Sequence, residues 1–257
     1  MTSDMFIMKP MTIQYLSREG QPDLAYKYTK GTAPLVIFCG GYRSDMTGTK
    51  AQYFEDQCIA RGQAYLRFDY SGHGKSGGTF ETGSIGQWAS DARAILDHIN
   101  PTQPAIIIGS SMGGWMAFLL AKARPNKIKA LIGIAAAPDF TEDIYQRLSD
   151  TQRSSLHTNG FAAIPNDYSD EPYHFPLAFY EEAKNHMILT GEIPPLNFPI
   201  HLFQGDQDKD VLPNTPDKIK TALPDATITV THIENGDHRL STPDDLHLIN
   251  EKIMEFS

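Results

Sequence analysis

Gly109-Ser110-Ser111-Met112-Gly113 sets one serine, Ser111, between glycines two residues away on either side. A serine hydroxyl is a weak nucleophile until a base takes its proton, and a G-x-S-x-G run on a sharp strand-to-helix turn is a known way to expose one. Ala105-Ile106-Ile107-Ile108 leads directly in and Trp115-Met116-Ala117-Phe118-Leu119-Leu120-Ala121 leads directly out, so the required context is present. The glycines suit a strained turn where neighbouring chains approach, and the helix that follows aims the positive end of its dipole at a developing oxyanion. Ser110 is out of frame, because Ile108 stands where the first glycine is required. The bland alternative, a Ser111 that merely caps the helix, does not explain motif and context together.

Such a serine needs a base and an acid later in the chain, each on a loop after a strand. Gly205-Asp206-Gln207-Asp208-Lys209-Asp210-Val211-Leu212-Pro213 follows the apolar run Ile200 to Gln204, and Glu234-Asn235-Gly236-Asp237-His238-Arg239 follows Thr227 to Ile233. Of the nine histidines, His238 alone falls on a loop after the final strand and before a capped helix. His73 lies in a glycine turn, His98 at a helix end, His157, His174 and His186 in an insertion, His201 and His232 inside strands, and His247 in the last helix. Spacing favours Asp208 without settling the choice among Asp206, Asp208 and Asp210; Asp237 reads as a loop residue. Two backbone donors for an oxyanion are expected: the N–H of Met112, and one from Gly40-Gly41-Tyr42 after Leu35 to Cys39, assigned to Tyr42. Cys39 reads as core and not as a nucleophile, having no paired base.

Two decoys lie in Arg67 to Gly78. Gly74-Lys75-Ser76-Gly77-Gly78 repeats G-x-S-x-G, but it is not held tightly between strand and helix, so Ser76 is set aside. Gly72, Gly74 and Gly77 spell G-x-G-x-x-G, the nominal dinucleotide fingerprint, yet no helix follows. Asp69 stands where a phosphate loop needs glycine.

The positioning elements come from periodicity. Leu35 to Cys39, Ala64 to Asp69, Ala105 to Gly109, Ala130 to Ala136, Ile200 to Gln204 and Thr227 to Ile233 are apolar runs without alternation, as in strands covered on both faces. Met11 to Thr29 reads as two amphipathic strands around Glu19-Gly20-Gln21-Pro22. Ile85, Trp88, Ala89, Ala92, Ile95, Leu96 and Ile99 line one helix face behind a Ser84 cap. Thr215-Pro216-Asp217 and Thr242-Pro243-Asp244-Asp245 place a capping hydroxyl before a first-turn proline and acidic residues. The alternation predicts an α/β fold: a mostly parallel, doubly wound central sheet with helices on both faces. Pro138 to Phe198 breaks it, with helical stretches such as Leu177 to Leu189 and no convincing core strand. It reads as a small helical cap, so that 1–257 is a single domain with an insertion at about 138–198.

The 257 residues carry 22 basic and 31 acidic side chains, a net charge of −9, with 40% hydrophobic and 21% charged residues. This excludes a disordered or fibrous chain and argues against a nucleic-acid partner. Ten acidic residues against Arg147, Arg153 and Lys184 place −7 of that charge in the insertion, which predicts disfavoured approach of anionic substrates. Cys39 and Cys58 lack disulfide-scaffold or metal-ligand spacing. The longest apolar stretch, Ala130 to Pro138, is too short for a membrane span. Met1 to Pro10 lacks an Arg-rich pattern or an apolar h-region, so a cytoplasmic protein is expected.

Gly41-Tyr42-Arg43-Ser44-Asp45-Met46-Thr47-Gly48-Thr49-Lys50-Ala51, Arg67-Phe68-Asp69-Tyr70-Ser71-Gly72, Gly109 to Trp115, Ala130 to Ala135 and Asp237-His238-Arg239 together resemble the α/β-hydrolase superfamily across essentially the whole chain. Within it they are most similar to the branch containing the mitochondrial palmitoyl-protein thioesterase and acyl-glucuronide esterase. The family pattern places its acid three residues before the valine of a Val-Pro pair. That selects Asp208, because Val211 follows it by three, with Leu212 interposed before Pro213. Gly40 stands where many relatives carry histidine before the second glycine, a histidine that this branch also lacks.

The resemblance implies a serine hydrolase that cleaves carboxylic esters or thioesters through an acyl-enzyme, with depalmitoylase-like action on acylated protein included. Ser111, Asp208 and His238 would be catalytic, with Tyr42 and Met112 as oxyanion donors and no metal or organic cofactor required. Two other readings are carried beside it: a dinucleotide-dependent oxidoreductase using Gly72, Gly74 and Gly77, and a non-catalytic acyl-binding module on the same fold. Oligomeric state is open.

Overall fold

The computed structural model describes residues 12–99, 101, 103–165 and 172–257. The opening stretch Met1 to Pro10 and, within the insertion, Asp167, Tyr168, Asp170 and Glu171 lie outside the described residues.

The unbroken apolar runs become the centre of a sheet. In chain order its strands are β1 (Gln14–Arg18), β2 (Gln21–Thr29), β3 (Thr32–Cys39), β4 (Gln63–Phe68), β5 (Ala105–Ser110) and β6 (Ile128–Ile134), with β9 (Ile200–Gly205) and β10 (Ile228–Ile233) after the insertion. They lie in the order β1-β2-β4-β3-β5-β6-β9-β10. β1 pairs antiparallel with β2 and β2 with β4; every other pairing in the sheet is parallel.

Successive side chains of a strand point to opposite faces, so each run feeds two cores. Leu35, Ile37 and Ile107 pack on one face against Trp88, Ile95 and Leu96 of α2 (Ile85–Ile99) and Trp115 and Phe118 of α3 (Met112–Ala123). Val36, Phe38, Ile106 and Ile108 pack on the other against Phe54 of α1 (Thr49–Ala60) and Ile249 and Ile253 of α8 (Pro243–Phe256). Full burial of each such side chain stabilises by about 1.5–3 kcal/mol, and this two-sided burial fixes where the strands end.

The caps agree in part with the sequence. Ser84 Oγ accepts the Gln87 N–H at 3.2 Å, and Thr242 forms a reciprocal capping box with Asp245. Thr215 departs from expectation. Asn214 occupies the cap position of α7 (Thr215–Ala222), and the Thr215 hydroxyl is buried inside the first turn without a hydrogen-bond partner among the described residues.

Between β6 and β9 the chain forms α4 (Phe140–Arg147), α5 (Asp150–Asn159), β7 (Phe161–Ile164), β8 (Tyr173–Pro176) and α6 (Leu177–Ala183). The antiparallel pair β7–β8 is a separate two-stranded sheet, where only helices were expected. Four-residue strands are too short to show a period of two. Helix α6 ends at Ala183, where the chain tightens into a 3₁₀ turn over Lys184–His186, six residues before the expected Leu189. Two carboxylates fasten this segment. Asp139 accepts the N–H groups of Ile188 and Leu189, both at 2.8 Å, tying its two ends together. Glu182 accepts the N–H groups of Ile85 and Gly86 at the positive end of α2, both at 3.1 Å.

Candidate active site

Ser111 sits between the end of β5 and the start of α3, with φ 55° and ψ −121°, a conformation L-residues rarely adopt. The surroundings over-determine it. Its N–H donates to the Ile134 carbonyl and its own carbonyl accepts from Ala137, both at 3.0 Å. A Cβ on Gly109 would lie 2.3 Å from the Gly113 carbonyl oxygen, so the strand and helix can meet this closely only without one.

His238 follows β10 on a loop whose curvature is set locally. The Asp237 carboxylate accepts the N–H groups of Arg239 and Leu240 at 2.9 and 3.0 Å, and Lys50 of α1 donates to the Arg239 carbonyl and, at 3.2 Å, to Ser241. His238 Nε2 lies 3.1 Å from Ser111 Oγ and Nδ1 lies 2.9 Å from Asp208 Oδ2. Three loops at the carboxyl ends of β5, β9 and β10 thus bring together residues far apart in sequence.

Of the three carboxylates after β9, Asp208 is the one hydrogen-bonded to the imidazole at 2.9 Å. Its Oδ1 accepts the Asp210 and Val211 N–H groups, both at 2.9 Å, and its Oδ2 also accepts Gln204 Nε2 at 3.0 Å. Burial pushes its carboxyl up, but the His238 hydrogen bond and the two amides outweigh that and hold it below the usual carboxylate value. Asp208, Asp210 and His238 also offer ligand atoms within 4.8 Å of one another. Both Asp208 oxygens are already engaged by donors, so a cation there would have to displace hydrogen bonds that the fold supplies.

The expected oxyanion donors flank the same point. A Cβ on Gly41 would lie 3.5 Å from Ser111 Cβ, so the Gly40–Tyr42 turn passes beside the hydroxyl. Neither the Tyr42 nor the Met112 N–H has an acceptor among the described residues, and both residues line the cleft that Ser111 and His238 share. That cleft holds about 920 Å³; Phe140, Ile144, Ile164, Pro165 and Val211 form its apolar wall.

The family described as serine aminopeptidase, S33 matches residues 32–162. The chain belongs to this family. It is a hydrolase, and its mostly parallel sheet with flanking helices is the α/β-hydrolase fold. It is 37% identical over 240 residues to a cattle protein named palmitoyl-protein thioesterase ABHD10, mitochondrial, covering 93% of this chain and 78% of that one. Among solved structures, a putative hydrolase from Agrobacterium vitis S4 superposes with a TM-score of 0.89 at 36% identity, covering 96% of this chain and 99% of that one. Mouse alpha/beta hydrolase domain-containing protein 10 superposes with a TM-score of 0.88 at 35% identity, covering 96% and 100%.

These findings correct two expectations. The cytoplasmic location does not stand, because the mammalian relatives are named as mitochondrial proteins. The dinucleotide reading fails on geometry. A Cβ on Gly74 would lie 2.2 Å from the Asp69 carboxylate, which itself accepts the Met46 and Lys75 N–H groups at 2.6 and 2.7 Å. An acidic side chain therefore fills the loop where a phosphate would need amides, and Ser76 braces the loop through Ala25 N–H and the Asp69 carbonyl. The charge at the cleft itself is mixed. Arg43, Lys50, Arg147 and Arg239 face it alongside Asp45, Asp143 and Asp210, of which Arg147 and Asp143 belong to the segment 138–198; Asp139 and Glu182 accept backbone N–H groups and Glu142 accepts the Tyr180 hydroxyl.

Gln204 and Lys50 were not singled out from sequence. Gln204 reads there as the last residue of a buried strand, and only its amide on Asp208 reveals a second task. Two other histidines have structural partners: His201 is bonded to Thr229 and Thr231, with burial pushing it down to about 4, and His98 contacts the Tyr26 hydroxyl.

Proposed function

We propose that the protein hydrolyses carboxylic esters and acyl thioesters through an acyl-enzyme on Ser111. The observation that carries this reading is the unbroken run from Ser111 Oγ through His238 to Asp208, at 3.1 and 2.9 Å, opening on the apolar cleft. His238 takes the Ser111 proton as the oxygen attacks the acyl carbon, returns it to the leaving alcohol or thiol, and then activates the water that releases the acid. Asp208, held ionised, fixes the imidazole in the tautomer that presents Nε2 as acceptor. The Tyr42 and Met112 amides receive the tetrahedral oxyanion, where each such donor is worth about 10²–10³ in rate.

The relatives named as palmitoyl-protein thioesterases support a long acyl group as substrate, acylated protein included, and the apolar wall agrees with that. In this reading the segment 138–198 caps a single hydrolase domain and supplies that wall. The test is a series of p-nitrophenyl esters and acyl thioesters of rising chain length, run on the wild type and on Ser111→Ala, beside labelling with a fluorophosphonate. Loss of turnover by about 10⁴ or more and loss of labelling in the variant are expected. Turnover that survives the substitution refutes the assignment.

A further inference from the structure

Tyr42 is tied to the inserted segment by its side chain, and it lines the cleft that holds Ser111. Its hydroxyl lies 2.5 Å from the hydroxyl of Tyr173, the first residue of β8, and the two rings meet edge to face at 5.7 Å. Burial raises both phenols above their usual range, so each keeps its proton and one donates to the other. The backbone next to Tyr42 is strained. The Ser44 N–H closes a turn onto the Gly41 carbonyl at 3.2 Å, and Arg43, third in that turn, has φ 57°, a place that favours glycine. An L-residue there costs about 1–3 kcal/mol and persists only where neighbours hold it. Here the guanidinium of Arg43 lies 4.7 Å from the centre of the Phe80 ring and 5.3 Å from that of Tyr173.

From this we propose that Tyr173 is a positioning residue for the oxyanion site. Together with Arg43 it clamps the Gly41–Ser44 turn in the strained form that turns the Tyr42 N–H toward the reacting carbonyl. The inference rests on Tyr42 being an oxyanion donor, as in the proposed function. It makes the inserted hairpin part of the rate-determining geometry and not only a wall of the acyl cleft. A displaced oxyanion donor weakens the transition state for every substrate alike, because all esters and thioesters develop the same charge. A residue that only lines the cleft would instead change KM, and increasingly so with acyl length.

The test uses Tyr173→Phe, which removes one hydroxyl and keeps the ring under Arg43. Expected is a fall in kcat of about tenfold, a fraction of one donor's full effect, that is the same for acetyl and long-chain esters, with KM and the pH profile unchanged. Tyr42→Phe, which breaks the same pair from the other side and leaves the amide in place, gives the same fall. Both variants lose affinity for a boronic-acid transition-state analogue by that factor. In an Arg43→Gly background, where the turn no longer needs clamping, the Tyr173→Phe effect shrinks to about twofold or less. Unchanged kcat in both hydroxyl variants, or a loss confined to KM and growing with chain length, overturns the clamp. If Ser111→Ala is inactive while Tyr173→Phe keeps full kcat, the clamp alone falls; if Ser111→Ala stays active, the reading of the site falls with it.

Discussion

The α-carbon of Gly113 on α3 is pressed so tightly against the Cys39 carbonyl at the end of β3 that a Cβ there would lie 2.0 Å from the oxygen. That contact joins the helix that follows Ser111 to the strand that feeds the Tyr42 turn, so one missing side chain sets the separation between Ser111 and that turn. Gly113→Ala must push α3 off β3. A loss of roughly 3 kcal/mol or more is expected, read as a thermal midpoint lower by about 5–10 °C together with lost fluorophosphonate labelling. Gly40 is the contrast: a Cβ there meets nothing within 4 Å and its φ lies outside the left-handed region, so Gly40→Ala should melt within about 2 °C of the wild type.

Asp208→Asn keeps the shape of the buried side chain but puts an amide where Oδ2 faces His238 Nδ1. Of its two ends, the oxygen suits the Asp210 and Val211 N–H groups and the NH₂ then opposes both Gln204 Nε2 and the imidazole N–H. The imidazole adopts the wrong tautomer, and kcat should fall by about 10³–10⁴ with little change in KM, measured on a p-nitrophenyl ester. Asp206→Asn and Asp210→Asn leave the carboxylate–imidazole bond intact, and kcat for each should stay within about threefold of the wild type. A larger loss for Asp206 than for Asp208 would reassign the acid.

The strands, the Ser111 turn and the His238 loop were legible in the sequence because each is dictated by local constraints. A run such as Ile106-Ile107-Ile108 can only be covered on both faces, and the glycines at 109 and 113 have no other use so close together. Spacing does not choose among Asp206, Asp208 and Asp210, which share one loop; what singles out Asp208 is its burial and its contact with His238, 30 residues on, a long-range fact. The hairpin β7–β8 escaped notice because its pairing, Ala162 with Phe175, supplies its own order where four residues supply no period. Composition places charge in the segment 138–198 without saying where it sits: Arg147 and Asp143 reach the cleft, whereas Asp139 and Glu182 face backbone N–H groups.

Asp139 gives a pH dependence of stability. Burial first of all raises its carboxyl to about 6 from 3.8, against the lowering effect of the Ile188 and Leu189 amides. The folded state therefore binds the proton more tightly than the unfolded chain does. Its effect favours folding at low pH and is lost as pH rises from about 4 to about 6, on the order of 1–3 kcal/mol. Asp139→Asn removes the titration while keeping an oxygen for one of the two amides. The difference in thermal midpoint between wild type and variant should change across this window and be flat above about pH 7. A difference that stays constant from pH 4 to 7 would show that Asp139 titrates normally.

The mixed walls of the cleft predict how the enzyme answers to salt. Were the net charge of the insertion to govern approach, an anionic ester such as a monosuccinate would be repelled at low ionic strength, and kcat/KM would rise several-fold as salt screens the field. Arg43, Lys50, Arg147 and Arg239 sit at the cleft itself, within reach of a bound substrate, and Asp143 is further offset by Lys218 at 3.4 Å. Short-range cations outweigh more distant acids once the Debye length falls to about 10 Å. From about 0.02 M to about 0.3 M salt, kcat/KM for the anionic ester should therefore fall or hold within about twofold, and that for a matched neutral ester should hold. Charge reversal by Arg147→Glu should lower kcat/KM for the anionic ester selectively, and added salt should then restore part of it. A steep rise with salt in the wild type would return control to the outer surface of the insertion.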